Sequence, residues 1–304
     1  MRAPELGLGR LREQFDAVLL DMDGTLLDDH GQVTPRTHRA VRQLADAGLM
    51  VVLCTGRSPQ GVSEVHDDLG LETPIVAYNG SWIGPAGGEP ERLIDLAPER
   101  VHDLAPVEAR ADFGFRHEAT TKWTVASEHA DHPSVAAWYS NVRFAEGWHE
   151  MPLHGLLRMT LFFDLPVAFD GEVPPHESAW SVLSAEAAAQ LRRETFPLSL
   201  FRPYRHSRLH MLEIQAASRG KAEALVWLAE RHGVPAERAI AIGDHVNDLP
   251  MLEAAGLAIA MGNAVAAAKA HADLVLASND EDGIAQWVEQ GAPLPTDGAA
   301  GERA

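Results

Sequence analysis

Two acidic segments each follow an apolar run that is typical of a buried parallel strand. Asp21 and Asp23, in the sequence DMDGT, follow the run Ala17–Leu20, and Asp244, in the sequence GDHVND, follows the run Ala239–Ile242. Ligands of open parallel sheets bind beyond the carboxyl ends of the strands, so we expect these carboxylates to meet at one edge of a sheet. Carboxylate oxygens are ligands that Mg²⁺ prefers. The pattern predicts a magnesium site, although Asp and Gly also form ordinary turns after strands.

Thr55 and Lys221 add groups that can hold a phosphoryl group. Thr55 and Gly56 follow the strand pattern Met50–Cys54, and a threonine hydroxyl with the N–H groups after it can bind a phosphate oxygen where a helix begins. Lys221 lies near the start of a predicted helix, at the unfavourable end of the helix dipole, so it needs an anionic partner. Taken alone, each residue has a more ordinary explanation, an N-cap threonine for Thr55 and a solvated surface lysine for Lys221.

Together these residue types fit phosphoryl transfer. That reaction needs a nucleophile in line with the phosphorus, a metal on the equatorial oxygens and fixed donors for the remaining charge. An aspartate nucleophile forms an aspartyl-phosphate, which water then hydrolyses. A second carboxyl group can give its proton to the leaving alcohol and later activate the water.

Strand and helix patterns alternate at both ends of the chain. Apolar runs at 17–20, 50–54 and 74–78 alternate with helical patterns at 36–47 and 60–69. The alternation resumes with a helix at 220–231, a strand at 239–242, a helix at 249–255, a strand at 257–260, a helix at 264–270, a strand at 274–276 and a helix at 283–289. This order predicts an α/β fold with a Rossmann-like, doubly wound parallel sheet.

The middle of the chain has a different pattern. The segment GPAGG at 84–88 is a turn or linker signal, and strand patterns follow at 156–163, 197–202 and 208–214, the last two as a hairpin. We predict a discontinuous catalytic core of residues 1–83 and 207–304, interrupted by an α+β domain of residues 84–206. The tail from Gly291 is rich in Gly, Ala and Pro, which predicts disorder.

Charge and cysteine content exclude several classes of function. The chain has 25 Lys and Arg against 44 Asp and Glu, a net charge of −19, so we expect neither nucleic-acid binding nor binding to an anionic membrane. Cys54 is the single cysteine, which excludes an intramolecular disulfide and a cysteine-based zinc site. The first 15 residues lack the apolar core of a signal peptide, and no apolar run is long enough to span a membrane. We therefore predict a cytoplasmic protein.

In its motifs and their order, the sequence resembles the haloacid dehalogenase-like (HAD) phosphatase superfamily. The matching motifs are DMDGT at 21–25, Thr55 after a strand, Lys221, and GDHVND at 243–248. Further segments are similar to the Cof-type branch of that family: Asn79-Gly80, Leu212-Glu213-Ile214 and the segment AMGNA at 260–264. Members place a cap at one of two positions. Only 33 residues separate Asp21 from Thr55, so the insert before Lys221 implies a type-two α+β cap.

The resemblance implies a role for each matching residue. Asp21 is the nucleophile, Asp23 the general acid and base, and Lys221 a holder of the phosphoryl group together with Thr55. Asp244 holds Mg²⁺ with Asp21 and the backbone carbonyl of Asp23. The remaining residues implied for the site are Asn247 and Asp248, which support the metal or orient Lys221, and Gly56, Arg57, Asn79 and Gly80 on the phosphate side. The segment QAASRG before Lys221 and Ala222 after it depart from the family pattern, which leaves the geometry of that loop open.

The resemblance implies magnesium-dependent hydrolysis of small phosphate monoesters, either sugar phosphates or phosphorylated cofactors and their precursors. The enzyme would act as a monomer or small homo-oligomer. A phosphomutase or other phosphotransferase would use the same aspartyl-phosphate with a different acceptor. A glycosyltransferase with an Asp-x-Asp metal motif does not explain Lys221 and GDHVND, and a catalytically silent metabolite-binding protein does not explain the complete catalytic set.

Several other residues have more than one interpretation from the sequence. Arg57 could approach the substrate or pair with Asp28 or Asp29, and Arg116 or Arg158 could bind a second anionic group. Cys54 is interpreted as a buried strand residue with a raised pKa. His206 and His210 could form a second metal site but fit scattered surface histidines better, and the tryptophans at 82, 123, 138 and 148 fit a small core better than a stacking surface.

Overall fold

The computed structural model describes residues 3–108, 113–118, 123–126, 142–145, 154–165, 184–194, 196–204 and 207–295. The chain forms two units. The first consists of Met1–Arg92 and Arg219–Ala304, and the second of Leu93–Ser218. The second unit therefore interrupts the first in sequence, and the residues singled out for phosphoryl transfer all belong to the first.

Strands and helices are numbered in chain order over the described residues. The strands are β1 (Ala17–Leu20), β2 (Met50–Leu53), β3 (Ile75–Ala77), β4 (Trp82–Gly84), β5 (Arg92–Leu93), β6 (Phe113–Glu118), β7 (Trp123–Ala126), β8 (Val142–Ala145), β9 (Leu156–Leu165), β10 (Phe196–Tyr204), β11 (Ser207–Gln215), β12 (Ala239–Gly243), β13 (Leu257–Ala260) and β14 (Leu274–Val275). The helices are α1 (Ala3–Gln14), α2 (Pro35–Asp46), α3 (Gln60–Asp68), α4 (Pro98–Glu108), α5 (Ala185–Glu194), α6 (Glu223–His232), α7 (Leu249–Ala254), α8 (Ala266–Ala270) and α9 (Gly283–Glu289).

The first unit contains a parallel sheet with the strand order β14-β13-β12-β1-β2. Ala17 in β1 pairs with Ala239 in β12 on one side and with Met50 in β2 on the other. The residues of β1 are all buried, as expected for a central parallel strand covered on both faces. From β1 the chain runs to β2 on one side and later to β12 on the other, so the order reverses at β1. The predicted α/β, Rossmann-like core is confirmed.

The helix between β1 and β2 shows how strand and helix patterns alternate along this part of the sequence. Thr34 caps the start of α2 by accepting a hydrogen bond from the N–H of Thr37 at 3.1 Å, and Pro35 occupies the first turn, where its missing N–H costs nothing. Ala40, Val41 and Leu44 are buried, which is the spacing of one helix face. That face packs inward and brings the chain back to the amino end of β2.

The third predicted strand differs from the expected parallel one. β3 pairs in antiparallel fashion with β4, within a small sheet of order β3-β4-β5. A single parallel bridge between Cys54 and Val76 links it to the end of β2. The small sheet exists because the chain reverses at 78–81 instead of entering a helix.

The second unit contains a six-stranded sheet with the order β10-β11-β9-β6-β7-β8. The pairs β10/β11, β11/β9, β9/β6 and β6/β7 are antiparallel, whereas β7/β8 is parallel. The buried core of this unit combines apolar residues of α4, β9 and β11 with one residue before α4 and one after β11: Leu96, Val101, Leu104, Val107, Leu156, Met159, Leu161, Leu212, Ile214 and Ala216.

The two boundaries lie further along the chain than the sequence suggested. The first is at 92/93 rather than 83/84, because the GPAGG segment is the turn that leads from β4 to β5. The second is at 218/219 rather than 206/207, because β11 pairs along its whole length with β10 and also with β9.

The start of the predicted disordered tail is packed against the first unit. Gly291 and Ala292 are buried, and the indole N–H of Trp287 donates to the carbonyl oxygen of Pro293 at 3.1 Å. Residues 296–304, the remainder of that prediction, lie outside the described residues. Within the described part of the chain, no helix combines the length and the apolar character that crossing a membrane requires.

Candidate active site

Asp21 follows β1, at the point where the strand order reverses. Its N–H donates to the carbonyl oxygen of Ile242 in β12 at 3.0 Å, so strand pairing fixes its backbone. Its side chain is buried. Because the reversal point of a doubly wound sheet is where ligands bind, Asp21 occupies the position that the sequence predicted for a reacting group.

The turn after Asp21 lies directly against the acidic loop that follows β12. Gly24 has a φ of +82°, and a Cβ at this position would lie 2.5 Å from Oδ2 of Asp244. The hydroxyl of Thr25 donates to Oδ1 of Asp244 at 3.1 Å. The side-chain amide of Asn263 donates to the carbonyl oxygen of Gly24 at 2.7 Å. Asn263 had no predicted role, although its place just after β13, at the same edge of the sheet, was the available signal in the sequence.

Asp248 ties the acidic loop to Lys221. Its Oδ2 accepts hydrogen bonds from the backbone N–H groups of Asp244 and His245, both at 2.9 Å. Its Oδ1 accepts a hydrogen bond from Nζ of Lys221 at 2.5 Å. A Cβ on Gly243 would lie 2.5 Å from the Asp248 carboxyl carbon, so this close approach requires glycine there. Asp248 thus orients both the loop and the lysine.

Lys221 is fully buried between two carboxylates. Besides Asp248, its Nζ donates to Oδ1 of Asp21. The sequence predicted a regular helix from Gly220, but residues Gly220–Ala222 form a 3₁₀ turn that precedes α6. Gly220 has a φ of +53°, a left-handed conformation that glycine adopts without steric cost. This turn directs the lysine side chain inward.

The charges of this buried cluster are not balanced by Lys221 alone. Burial raises the pKa of Asp21 well above the ordinary value of 3.8, and the carboxylates of Asp248 and Asp244 raise it further, against the opposing effect of Lys221. Burial also raises the pKa of Asp244, with Asp248 contributing. Burial disfavours the charged form of Lys221, but Asp21 and Asp248 outweigh it and raise the pKa of the lysine. Three carboxylates face one ammonium group, so an additional cation would stabilise the ionised cluster.

The donor set fits a hard divalent cation. Asp21, Asp244 and Asp248 each offer a carboxylate oxygen, and these atoms lie within 4.8 Å of one another. Both oxygens of Asp248 already accept hydrogen bonds, so Asp21 and Asp244 are the better placed ligands. All-oxygen donors suit Mg²⁺ and not a soft metal.

The Asp23 carboxylate is held apart from this cluster by Arg57. Nε of Arg57 donates to Oδ2 of Asp23 at 2.9 Å and Nη2 donates to Oδ1 at 2.6 Å. The hydrogen bond to Asp23 raises the pKa of Arg57. The ion pair that the sequence allowed between Arg57 and Asp28 or Asp29 is therefore not the observed one. The metal role implied for Asp23 concerned its backbone carbonyl, and its carboxylate pairs with an arginine instead.

The loop after β2 and the turn after β3 lie side by side. The Thr55 N–H donates to the carbonyl oxygen of Val76 at 2.8 Å, and the carbonyl oxygen of Thr55 accepts from the N–H of Asn79 at 2.9 Å. The Thr55 hydroxyl accepts from the N–H of Arg57 at 3.1 Å. The side-chain amide of Asn247 donates to Oδ1 of Asn79 at 3.2 Å. The structure thus brings Thr55, Gly56 and Arg57 next to Asn79 and Asn247, as expected of one site.

The weaker sequence features have mixed outcomes. Cys54 is fully buried at the end of β2, and burial raises the pKa of its thiol, which confirms that prediction. Arg158 pairs with Glu213 at 3.1 Å, and Arg116 is buried. Trp82 is buried within β4. The remaining features lie outside the described residues or have side chains outside them: His206, His210, Trp123, Trp138 and Trp148.

Comparison with known proteins is consistent with this geometry. The model of the haloacid dehalogenase-like hydrolase family matches residues 18–157 and 172–288. The 5-amino-6-(5-phospho-D-ribitylamino)uracil phosphatase YitU of Bacillus subtilis is 31% identical over 280 residues, which cover 90% of this chain and 96% of the relative. The pyridoxal phosphate phosphatase YbhA of Escherichia coli is 26% identical over 285 residues, covering 89% of this chain and 96% of the relative.

Solved structures share the fold. A haloacid dehalogenase-like hydrolase from Bacteroides thetaiotaomicron aligns with a TM-score of 0.70 at 23% identity, and the alignment covers 91% of this chain and 99% of that one. At this level of identity the likeness concerns the architecture and not the substrate.

Proposed function

This chain belongs to the haloacid dehalogenase-like hydrolase family, in its Cof-type branch, and is a phosphoric monoester hydrolase. From this premise we propose that it is a magnesium-dependent phosphatase of small metabolites. Its substrates are phosphorylated cofactors, their precursors or sugar phosphates, and an aspartyl-phosphate forms on Asp21. The relatives YitU and YbhA are named as phosphatases of a phosphorylated ribitylaminouracil and of pyridoxal phosphate, which supports the first two classes.

The contact that carries this proposal is the buried ammonium of Lys221 between Asp21 and Asp248. The ammonium group reaches Asp21 at the carboxyl end of the central strand β1, which is where ligands of such sheets bind. The lysine lowers the cost of an ionised Asp21, which must be anionic to attack phosphorus. Its remaining N–H is a donor for a phosphoryl oxygen.

In the first step the Asp21 carboxylate attacks phosphorus, the ester P–O bond breaks, and the leaving oxygen takes a proton from the Asp23 carboxyl group. In the second step Asp23 removes a proton from water, whose oxygen attacks the same phosphorus and releases inorganic phosphate and the Asp21 carboxylate. Thr55, Gly56 and Asn247 surround the phosphoryl oxygens together with Lys221, and Arg57 orients Asp23. Asp21, Asp244 and the backbone carbonyl of Asp23 would hold Mg²⁺, whose positive charge would offset the charge on the transferring phosphoryl group.

We assign the second unit the role of a type-two cap. Its mixed sheet, with two helices among the described residues, supports this assignment, since the family resemblance implies an α+β domain at this position in the sequence. A cap of this kind excludes water during the first step and contributes residues that select the leaving group. Selectivity among phosphorylated cofactors and sugars then resides in residues 93–218.

The test is phosphate release from an aryl phosphate and from a panel that includes pyridoxal phosphate, a phosphorylated ribitylaminouracil and hexose phosphates. Each is measured with Mg²⁺ and with EDTA, for the wild type, for Asp21→Asn and for the control Asp16→Asn. Asp16 lies at the amino end of β1 and pairs with Arg238, so it shares the strand but not the site.

We expect magnesium-dependent release with water as the acceptor, a loss of about 10³-fold or more in Asp21→Asn, and near-normal activity in Asp16→Asn. Undiminished release by Asp21→Asn would exclude the nucleophile assignment. Turnover only in the presence of a second sugar would indicate the phosphotransferase alternative.

A further inference from the structure

The short turn Tyr78–Gly80 touches every segment that we assign to the phosphoryl group. The Asn79 N–H donates to the carbonyl oxygen of Thr55 at 2.9 Å, and Oδ1 of Asn79 accepts from Nδ2 of Asn247 at 3.2 Å. A Cβ on Gly80 would lie 2.3 Å from the carbonyl oxygen of Gly220, the residue before Lys221. One turn therefore contacts the loops that carry a threonine, an asparagine and a lysine of the site.

The backbone of this turn restricts which residue can stand at position 79. Asn79 has a φ of +48° and a ψ of +42°, the left-handed region in which asparagine is among the few tolerated side chains. It is also fully buried. Asparagine here combines the required backbone conformation with an acceptor aimed at Asn247.

The amide of Asn79 is oriented by Asn247 and not by a partner of its own NH₂ group. Among the described residues, Nδ2 of Asn79 has no hydrogen-bond partner, and it faces Gly56, where a Cβ would lie 3.3 Å away. Leaving a buried donor unpaired is unfavourable. The side-chain hydrogen bond of Asn79 is the one that its Oδ1 accepts from Asn247.

We infer that Asn79 is a positioning residue that acts through Asn247, holding its amide beside the Thr55–Arg57 loop so that both contact the same phosphoryl group. The inference rests on the proposed function, since it presumes that Asn247 and Thr55 bind phosphate. In this arrangement the hydrogen bond between Asn79 and Asn247 is kept when phosphate binds.

A double-mutant cycle on phosphate affinity tests this inference. The variants are Asn79→Gly, Asn247→Ala and the double variant. Glycine keeps the left-handed backbone without strain, so Asn79→Gly removes the amide alone. The affinity for inorganic phosphate is measured by calorimetry with Mg²⁺ present, and KM and kcat are measured with an aryl phosphate.

We expect each single variant to bind phosphate about ten-fold more weakly, the worth of one hydrogen bond, and the double variant to bind no more weakly than Asn247→Ala. Independent action would instead multiply the losses to about 100-fold in the double variant, and wild-type affinity in Asn79→Gly would equally overturn the inference. If Asn79→Gly does not fold, Asn79→Ser enters the same cycle with the same expected result.

Asn279→Ala is the matched control for general loosening of the core. Asn279 is also a buried asparagine of the first unit, and its Nδ2 donates to the carbonyl oxygen of Leu27 at 3.0 Å. We expect a lower melting temperature but unchanged phosphate affinity, and an equal loss of affinity would count against a specific role of Asn79. Phosphate binding without turnover by the wild type would contradict the proposed hydrolysis. The double-mutant cycle would still test the role of Asn79, because it compares phosphate affinities.

Discussion

At the scale of residues, the buried Lys221 keeps its proton because two carboxylates accept hydrogen bonds from it. Removing one partner of a buried ion pair leaves an uncompensated charge. We therefore expect substitution of either Asp21 or Lys221 to lower the stability of the protein. We also expect the protonation of the cluster to depend on any cation bound to it.

The raised carboxyl pKa values give the metal-free protein a defined pH dependence. Asp21 and Asp244 have pKa values above the ordinary 3.8, so above that pH the folded chain binds protons that the unfolded chain releases. The free energy of unfolding therefore falls as the pH rises through the raised values. In the proposed function Mg²⁺ binds the ionised carboxylates, and this binding would oppose the fall. We expect Mg²⁺ to raise the melting temperature more at about pH 8 than at about pH 5, measured by thermal unfolding with and without EDTA.

Asp244→Asn provides the control for this pH dependence. It removes one of the two raised carboxyl groups and one candidate ligand of the metal, while an amide of the same size remains beside Thr25. The pH-dependent gain from Mg²⁺ should shrink in this variant. An equal gain at both pH values in the wild type would show that Mg²⁺ binds elsewhere.

We expect the pair Arg57–Asp23 to affect turnover more than stability. The two side chains are 35% and 58% exposed, and exposed pairs contribute at most about 1 kcal/mol. Arg57→Lys removes the two-point contact and the orientation of Asp23 with it. We expect kcat to fall about ten-fold with little change in melting temperature.

Arg36→Lys is the matched variant for this comparison. Arg36 makes a similar two-point contact with Glu289, and the side chains are 37% and 47% exposed. This pair joins α2 to α9 and includes no residue that we assign to the site. Unchanged kcat in Arg36→Lys, beside a reduced kcat in Arg57→Lys, would assign the effect to Asp23. Equal kcat values in all three proteins would contradict an orienting role.

Sequence spacing predicted which residues meet but not which atoms pair. Asp21, Lys221 and Asp244 were expected together because each lies next to the carboxyl end of a strand or the start of a helix. The partner of Arg57 and the contribution of Asn263 depend on how separate loops approach one another. Those distances follow from tertiary packing, which no local pattern records.

At the scale of elements, the glycines of the site permit close contacts between loops. Gly80 has a φ of +98°, and its missing side chain leaves room for Gly220. Gly31 also has a positive φ, of +76°, but nothing lies within 4 Å of the position its Cβ would occupy. Alanine at Gly31 would therefore meet backbone strain alone, whereas alanine at Gly80 would meet backbone strain and a steric conflict.

Gly80→Ala should destabilise the protein more than Gly31→Ala. The left-handed conformation alone costs an alanine about 1–2 kcal/mol, and at Gly80 the contact with Gly220 adds to it. We expect a difference of about 2 kcal/mol or more between the variants, together with weaker phosphate binding in Gly80→Ala, because the turn before Lys221 must move. Urea unfolding gives the stabilities, and equal values for the two variants would exclude the steric conflict.

Hydrophobic patterning predicted the elements of the first unit closely. β1, β13 and α9 have the predicted bounds, because apolar runs and helix-type spacing determine burial locally. β3 was expected in the parallel sheet and instead belongs mainly to a small antiparallel one. Two strands of the same composition can pair in either direction, and here the left-handed turn after β3 decides it.

At the scale of the whole molecule, the net charge of −19 opposes the approach of an anionic substrate. Salt screens this repulsion, since the Debye length shortens to about 10 Å at about 0.1 M ionic strength. We expect kcat/KM for a hexose phosphate to rise a few-fold as salt is added to a dilute buffer. Sodium and tetramethylammonium chloride should give the same trend, and a fall in kcat/KM with salt would show that local positive charge dominates.

The boundaries of the second unit were predictable only approximately. Composition marks the GPAGG turn clearly, but a turn inside a domain and a linker between domains have the same composition. Pairing of β11 with β9 and β10 decides the second boundary, and strand pairing across many residues leaves no mark in local sequence.

The pairing of Ala17 with Ala239 also constrains how the protein is made. On the ribosome, β1 emerges early, whereas its neighbour β12 is synthesised only after the entire second unit. Until then β1 can pair on the β2 side alone, and Asp21 lacks Lys221, which lies 200 positions away. Contacts so distant in sequence slow folding, while the second unit, whose sequence is continuous, can fold first. The cluster of Asp21, Lys221 and Asp244 therefore cannot assemble until the second unit and β12 have been synthesised.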